Sequence, residues 1–379
     1  MQKSENLHYG IHDRPPFFIL CGLVAQQILI LLSYLILVSV IAKAANANIG
    51  EASELVSLTL IAMSIGTFLQ VLSKGPIGSG YLAAVCPMPN YLAPSIAAVK
   101  LGGLGLMAGM VVFAGFAQIV IGFFIKKIRL FFPTLLTGIV FCLIAIDMVT
   151  VAMHVVVQNS FGEHAILGKR FFFSFLVTFA MIVTLNIWGK GLWRLLCSGT
   201  GLLVGAVIAF FLGLYFEEHV AAMKAASWFA APPFHEVHFE FNSGLILFFL
   251  ISAVASTLRA MGAITTAQQI NDAEWKRPNQ ANIRKGLLAD GMTAMIGGLL
   301  GTTGLGCTPT SVGLSKESGA TSRVIAYFFS LTCFLLAFCP KLGAIFFALP
   351  DSVVTAGLCF ISCILFIGGI RILELLRTR

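Results

Sequence analysis

Apolar runs of about 20 residues alternate with short polar stretches along most of this chain. A helix needs about 20 apolar residues to cross the hydrocarbon part of a bilayer. The runs therefore predict membrane spans at about 16–42, 52–72, 102–125, 132–153, 170–188, 193–214, 243–268, 286–303, 324–339 and 350–372. Two further segments, 75–99 and 301–323, interrupt this pattern because they are rich in Gly, Pro, Ser and Thr.

The first irregular segment predicts a broken crossing. An extended stretch from Tyr81 to Cys86 comes before Pro87 and Pro89, and a helical run then continues to Val99. Proline suits the first turn of a helix, where its missing N–H is not needed.

The second irregular segment has the same order. Gly304 to Thr308 predicts an extended stretch, Pro309 follows it, and a short helix is expected from Thr310. Non-helical backbone at membrane depth is tolerated where it is buried in protein or lines a cavity. Transporters built from inverted repeats place such segments at their binding sites. A re-entrant structural turn is the alternative interpretation.

Composition supports a membrane protein and gives it an orientation. The chain is 58% hydrophobic and 11% charged, with a formal net charge of +8. If both irregular segments count as crossings and the N-terminus is cytoplasmic, 17 of the 24 basic residues face the cytoplasm and six face the other side. This bias follows the positive-inside rule and makes nucleic acid an unnecessary explanation of the charge.

Arg259 is the remaining basic residue, and it lies inside an apolar run that begins near Leu245. At about 1.5 Å per residue it is roughly 20 Å along the helix axis. A buried membrane arginine usually faces a cavity or a partner. A snorkelling arginine near the end of a span is the alternative.

Four stretches, "YGIHDRPP", "GPIGSGYLA", "INDAEWKRPNQANIRKGLLADG" and "SVGLSKESGATSR", resemble the nucleobase–ascorbate transporter family of uracil and xanthine permeases. The resemblance runs over essentially the whole chain. It implies an all-α polytopic fold with two inverted repeats of seven segments, broken segments 3 and 10, a core domain and a gate domain.

The implied division has five parts: a cytoplasmic tail at 1–15, core at 16–130, gate at 131–242, core at 243–340 and gate at 341–379. In the family the chain continues with segments 13 and 14, and this sequence stops after segment 12. The resemblance also implies a homodimer and substrate binding between half-helices 3 and 10.

This chain departs from the family's pattern at its polar anchors. The tenth-segment signature begins with Gln or Glu in the family and reads Thr310-Ser311-Val312-Gly313 here. A family Glu before Gly262 is replaced by Arg259, and a Gln-His pair by Gln26-Gln27. Asp290 does match a family acid and is the candidate coupling residue. Its alternative role is structural, as a helix cap or a partner of Arg284 or Lys285.

The sequence therefore predicts a secondary transporter rather than an enzyme, located in the cell (inner) membrane among lipids. The candidate substrate-binding residues are Cys86, Pro87, Arg259, Ala263, Thr308, Pro309, Thr310, Ser311 and Gly313. No cofactor or metal is expected, and the coupling ion, H⁺ or Na⁺, stays open.

A guanidinium and two helix N-termini favour an anion or an electron-rich edge, so the expected substrate is an oxopurine such as xanthine or urate, or a uracil-type pyrimidine. An anion exchanger of the sulfate or bicarbonate type is one alternative. A transport-inactive or regulatory membrane protein is the other.

Overall fold

A computed structural model describes residues 7–128, 134–160, 165–190, 194, 196–215, 226–232 and 238–377. The predicted domain boundary at 130/131 and the predicted span starts at 132 and 193 lie outside these residues. Among the described residues, seven helices are long and apolar enough to cross a membrane, or eight if one bent pair counts as a single span.

In the N-terminal part of the chain, the described residues form six helices and one short strand. In chain order they are α1 (Phe17–Ala44), α2 (Ile49–Val71), β1 (Val85–Pro87), a 3₁₀ turn (Pro89–Tyr91), α3 (Leu92–Ile128), α4 (Thr134–Ser160), α5 (Ala165–Trp188) and α6 (Cys197–Phe211). Helix α3 contains two consecutive non-helical residues, Gly102 and Gly103, and Gly103 has a φ of 74°. The predicted half-helix and the span that follows it are thus separated at these glycines.

The C-terminal part repeats this order with six further helices and a second strand. They are a 3₁₀ turn (Ser243–Leu245), α7 (Ile246–Asn271), α8 (Gln280–Leu299), β2 (Leu305–Cys307), α9 (Pro309–Glu317), α10 (Arg323–Leu336), α11 (Pro340–Phe347) and α12 (Asp351–Arg377). The structure confirms both predicted breaks, with strands β1 and β2 at the expected positions. Each strand is three residues long, and Pro87 belongs to β1 rather than following it.

The predicted span at 324–339 corresponds to α10, which ends at Leu336. Helix α11 begins at Pro340 after a bend of 82°. Proline lacks the N–H for an intrahelical bond and disfavours helical geometry in the residue before it, here Cys339. The chain therefore turns sharply at the end of the predicted span, and the sequence pattern did not predict this bend.

The helices pack in two groups. Helix α12 lies against α4, α5 and α6 in one group. In the other, α3 packs on α8 and α7, α2 packs on α8, α10 and α11, and α1 lies beside α2 and α10. Contacts between the groups include those of α1 with α6 and α12.

Glycines allow the closest helix contact in the second group. A Cβ on Gly298 of α8 would lie 2.6 Å from the backbone nitrogen of Val112, and one on Gly115 of α3 would collide with the backbone nitrogen of Met295. Small residues at the contact let membrane helices pack backbone to backbone. We call this contact between α3 and α8 the seam. It is formed by two glycines on each helix, spaced seven residues apart: Gly115, Gly122, Gly291 and Gly298.

We expect Gly115→Ala to destabilise the protein by about 1–3 kcal/mol, because the new methyl group overpacks the seam. The matched control is Gly22→Ala in α1, where a Cβ would meet nothing within 4 Å. That change should be neutral or stabilising by up to about 1 kcal/mol, since alanine is the better helix former. Thermal unfolding of the purified protein in detergent measures both, and a Gly115→Ala variant that melts at or above the parent would contradict the tight seam.

Candidate functional site

The two strands pair with each other in the middle of the helical fold. They run antiparallel, with Cys86 opposite Gly306 at the centre of the pair. The flanking pairs are Val85 with Cys307 and Pro87 with Leu305. Non-helical backbone is therefore satisfied by a small sheet inside the protein, as the membrane interior requires.

An approximate two-fold axis passes through the centre of this sheet. The N–H of Met88 donates to the carbonyl of Gly304 at 3.0 Å, and the N–H of Thr308 donates to the carbonyl of Ala84, also at 3.0 Å. These two bonds are equivalent under a shift of 220 residues, and the same shift relates Pro89 to Pro309. Each repeat thus has a strand, a proline four residues after the strand begins, and a helical segment that starts at that proline.

One end pair of the sheet, Val85 and Cys307, has backbone N–H groups that bond to side chains outside the sheet. Val85 donates to the hydroxyl of Thr67 at 3.0 Å, and Cys307 donates to Oδ1 of Asp290 at 2.6 Å. Val85 and Cys307 lie opposite each other in the strand pair, and their outward N–H groups are supported from two different helices, by Thr67 of α2 and Asp290 of α8. A buried N–H without a partner would be costly, so these side chains hold the sheet.

Asp290 is fully buried and has a second partner. Its Oδ2 accepts a bond from the amide of Gln118 at 3.2 Å, and Gln118 in turn accepts from the hydroxyl of Tyr91 at 3.4 Å. The guanidinium of Arg284 instead lies over the ring of Phe123, 4.9 Å from its centroid. The carboxylate is therefore directed at β2 and α3 rather than at the end of its own helix.

Arg259 is only 6% exposed although it is charged. Its Nη1 donates to the sulfur of Met88 at 2.9 Å, and its guanidinium lies 5.8 Å from the centroid of the Phe141 ring. Met88 immediately precedes the proline of the first half-helix.

Arg259 faces a cavity of about 400 Å³. The cavity extends from this buried side chain to the exposed side chains of Arg194 and Glu317 at its mouth. Its polar and half-helix lining includes Ser33, Tyr34, Pro89, Thr308, Pro309, Thr310 and Gly313, and α12 supplies an apolar wall. A somewhat larger cavity of about 500 Å³ lies at the opposite ends of α1 and α12, beside Lys43 and Asp351. The first has convergent hydrogen-bond donors and two helix N-termini, so we take it as the candidate site.

The cavity brings together Arg259, Thr308, Pro309, Thr310 and Gly313 from the predicted set. Other predicted residues lie behind its wall, where Cys86, Pro87, Ala263, Ser311 and Asp290 are buried.

Two of the predicted residues support the wall. The hydroxyl of Ser311 accepts the N–H of Ala84 at 3.0 Å, and Gln27 donates to the carbonyl of Ser311 at 3.3 Å. Gln26, the residue before Gln27 on α1, is half-buried. Gln27 and Ser311 thus hold the start of α9 against α1 and against Ala84, the residue before β1.

Sequence reasoning missed Tyr34 of α1. Its hydroxyl lies 3.0 Å from Oγ1 of Thr310 and accepts a bond from Oγ1 of Thr308 at 3.5 Å. No motif marks this tyrosine, because it is an isolated polar tip within an apolar run. Only the folded helix shows that it reaches the second half-helix.

Comparisons with known proteins agree with this architecture. Residues 19–378 match the family described as Permease family, the group of xanthine and uracil permeases. The chain is 24% identical over 344 residues to the xanthine permease of Bacillus subtilis (strain 168), covering 88% of this chain and 75% of that protein. It is 23% identical over 394 residues to the xanthine permease XanQ of Escherichia coli (strain K12), covering 98% and 82%.

A solved structure shows the same fold. The transmembrane domain of the cyanobacterial bicarbonate transporter BicA superposes with a TM-score of 0.64 at 14% identity, covering 95% of this chain and 94% of that one. At this identity the likeness shows the fold alone, which is the inverted-repeat transporter fold.

We expect Asp290→Ala to lower the free energy of unfolding by about 1–3 kcal/mol, since it leaves the buried N–H of Cys307 without an acceptor. Asp290→Asn keeps an acceptor oxygen and should retain most of the stability. Thr67→Val is the matched change on the other strand, where it removes the acceptor of the Val85 N–H, and it should cost a similar amount. Thermal unfolding distinguishes these variants, and equal melting of Asp290→Ala and the parent would contradict the supporting role.

Proposed function

The chain belongs to the Permease family of xanthine and uracil transporters, and from this premise we propose that it is a secondary active transporter of an oxopurine or oxopyrimidine. The observation that carries the proposal is Arg259, a buried cation facing a cavity between the starts of two half-helices. The binding residues we propose are Arg259, Thr308, Thr310 and Gly313, together with the prolines that begin the half-helices.

The chemistry of the lining favours a substrate rich in hydrogen-bond acceptors. Arg259 offers only donors, and helix N-termini add unpaired N–H groups and a positive dipole end. Oxo groups and deprotonated ring nitrogens are acceptors of this kind. The xanthine- and uracil-type bases carry them on opposite edges of a flat ring, which suits a cavity with donors on more than one wall.

Helix packing supports a movement of two bodies. We propose that the group formed by α4, α5, α6 and α12 is the gate and that the remaining helices form the core, which moves against the gate in an elevator-like step. The predicted core, 16–130 and 243–340, and the predicted gate, 131–242 and 341–379, fit this division except at α11, which packs on α2 and would therefore belong to the core. A homodimer joined through the gate would give the moving core a fixed frame in the lipid.

We propose that contacts between α1 and α12 close the cavity at one end. On the side away from Arg194 and Glu317, Lys43 of α1 forms an ion pair with Asp351 of α12 at 2.6 Å and also donates to the carbonyl of Leu349 at 2.9 Å. The mouth carries Arg194, in the basic loop that we place in the cytoplasm. This conformation is therefore proposed to face inward.

Arg259→Gln should weaken xanthine binding about tenfold or more, because the loss of a desolvated charged partner costs roughly 2–5 kcal/mol before hydration of the site is allowed for. The loss should be larger at higher pH, where more of the base is ionised. Arg259→Lys should recover part of the affinity, since the ammonium group of lysine cannot form the two parallel hydrogen bonds of a planar guanidinium. Ligand-dependent thermal shift between about pH 5 and 9 measures the affinities.

Unchanged xanthine affinity in Arg259→Gln at every pH would show that the arginine has a structural role only. The same measurement with sulfate and bicarbonate tests an anion exchanger, the second candidate, which Arg259 also suits. A parent protein that neither binds nor takes up any of these compounds would favour a regulatory membrane protein instead.

Asp290 is the proposed coupling residue. The outward N–H of Val85, opposite Cys307 in the sheet, is satisfied by the neutral hydroxyl of Thr67, so supporting a strand does not itself require a charge at position 290. We expect Asp290→Asn to abolish the stimulation of xanthine uptake by an inward proton gradient in vesicles while leaving xanthine binding at neutral pH within about threefold. Uptake by Asp290→Asn that still follows the gradient would contradict this assignment, and dependence on Na⁺ alone would assign the coupling to another ion.

Topology is proposed from the basic residues, with the N-terminus and the loop at 272–279 in the cytoplasm of an inner-membrane protein. Glu274→Cys and Ser227→Cys place single reporter thiols at exposed positions on the two predicted sides. In a background without other reactive cysteines, an impermeant maleimide added to intact cells should label Ser227→Cys and leave Glu274→Cys unlabelled. The reverse pattern would invert the topology.

A further inference from the structure

Tyr34 and Arg259 occupy equivalent places in the two repeats. Arg259 extends from α7, the first helix of the second repeat, to Met88 before Pro89. Tyr34 extends from α1, the first helix of the first repeat, to Thr308 before Pro309. The shift that relates Met88 to Thr308 is close to the one that relates Tyr34 to Arg259, so each side chain reaches the half-helix of the opposite repeat.

From this equivalence we propose that Tyr34 is a specificity-determining residue of the substrate site. With Thr310 it supplies a hydrogen-bond donor on the wall contributed by the first helix, while Arg259 supplies the donors on the other. The inference rests on the proposed function and adds a substrate contact to it. It requires a substrate with acceptors on two separate edges, as in xanthine with its oxo groups at two ring positions.

The hydroxyls of Tyr34, Thr308 and Thr310 carry three protons but form two hydrogen bonds with one another, so one proton remains for a ligand. Thr308 donates its proton to the Tyr34 oxygen and accepts the N–H of Thr310 at 3.4 Å. One bond, of 3.0 Å, joins Tyr34 to Thr310, and either oxygen can be its donor. Tyr34 and Thr310 hold two protons for this single bond, so one proton is left over in either arrangement. Both side chains line the cavity, and the spare proton is available to a ligand there.

The position of the tyrosine ring holds this donor in place. Tyr34 is half-buried and packs against both large hydrophobic clusters of the molecule, one on each side of α1. Its ring is thereby fixed while its hydroxyl stays at the cavity surface. A donor with few alternative orientations loses little entropy when a ligand binds.

The test uses xanthine as the probe and the full-length protein in detergent or nanodiscs. Tyr34→Phe and Thr310→Val each leave one of the two hydroxyls, so each should weaken binding by less than about threefold. The double variant has neither hydroxyl of this pair, and the proton freed on Thr308 lies at another place on the wall. It should lose roughly tenfold, which is about 1.4 kcal/mol and within the range for one hydrogen bond. The loss in the double variant should therefore exceed the product of the single losses.

Rescue separates a donor role from a structural one. Tyr34→Phe combined with Thr310→Ser restores a hydroxyl at position 310 and should bind within about threefold of the parent. Tyr327→Phe with Thr332→Val makes the same two changes on α10 away from the cavity and is the matched control. Unfolding temperatures without ligand should be similar for the two Tyr34 double variants, which makes their affinities comparable even if both are less stable.

The outcomes distinguish this inference from the proposed function. If the parent binds xanthine and the Tyr34→Phe/Thr310→Val variant binds it equally well, Tyr34 is not a substrate contact and the inference fails alone. The inference also fails alone if Tyr34→Phe/Thr310→Ser loses as much xanthine affinity as Tyr34→Phe/Thr310→Val. If the parent binds neither xanthine, hypoxanthine nor uracil, the proposed function fails and the inference fails with it.

Discussion

The rest of this structure depends on a two-stranded sheet placed inside a membrane protein. Backbone at this depth has no water to bond with, so every N–H and C=O of the strands needs a protein partner. The strands satisfy one another at their centre, and the outward N–H groups of Val85 and Cys307 bond to Thr67 and Asp290. These bonds fix where the prolines lie, and the prolines fix where the half-helices begin. A cavity lined by helix N-termini is the result.

The approximate symmetry of the site makes its asymmetries informative. Thr67 and Asp290 do the same structural work with different charge, and Tyr34 and Arg259 reach equivalent places with different chemistry. In each pair the second repeat carries the charged residue. The second repeat thus supplies both charged residues, Arg259 at the cavity and Asp290 behind its wall.

Sequence patterns predicted the broken segments well because glycine and proline have direct backbone consequences. The strand positions, the two prolines at helix starts and the burial of Arg259 all followed from residue type and spacing. The bend between α10 and α11 was missed, since averaged hydropathy hides the effect of Pro340. The partners of Asp290 and the reach of Tyr34 were also hidden, because contacts between α8 and β2 or between α1 and α9 depend on tertiary packing. The sequence offered Arg284 and Lys285 as partners of Asp290. In the structure the carboxylate bonds to the N–H of Cys307 and to the amide of Gln118 instead.

The central claim is that substrate binds between the two half-helix starts, in contact with Arg259. A structure of the purified protein determined by electron cryomicroscopy with saturating xanthine, compared with one determined without it, tests this claim most directly. The account predicts added density in the cavity of about 400 Å³, within hydrogen-bond distance of Arg259 and of Thr310. Added density only in the cavity beside Lys43 and Asp351, or none between the half-helices, would contradict it.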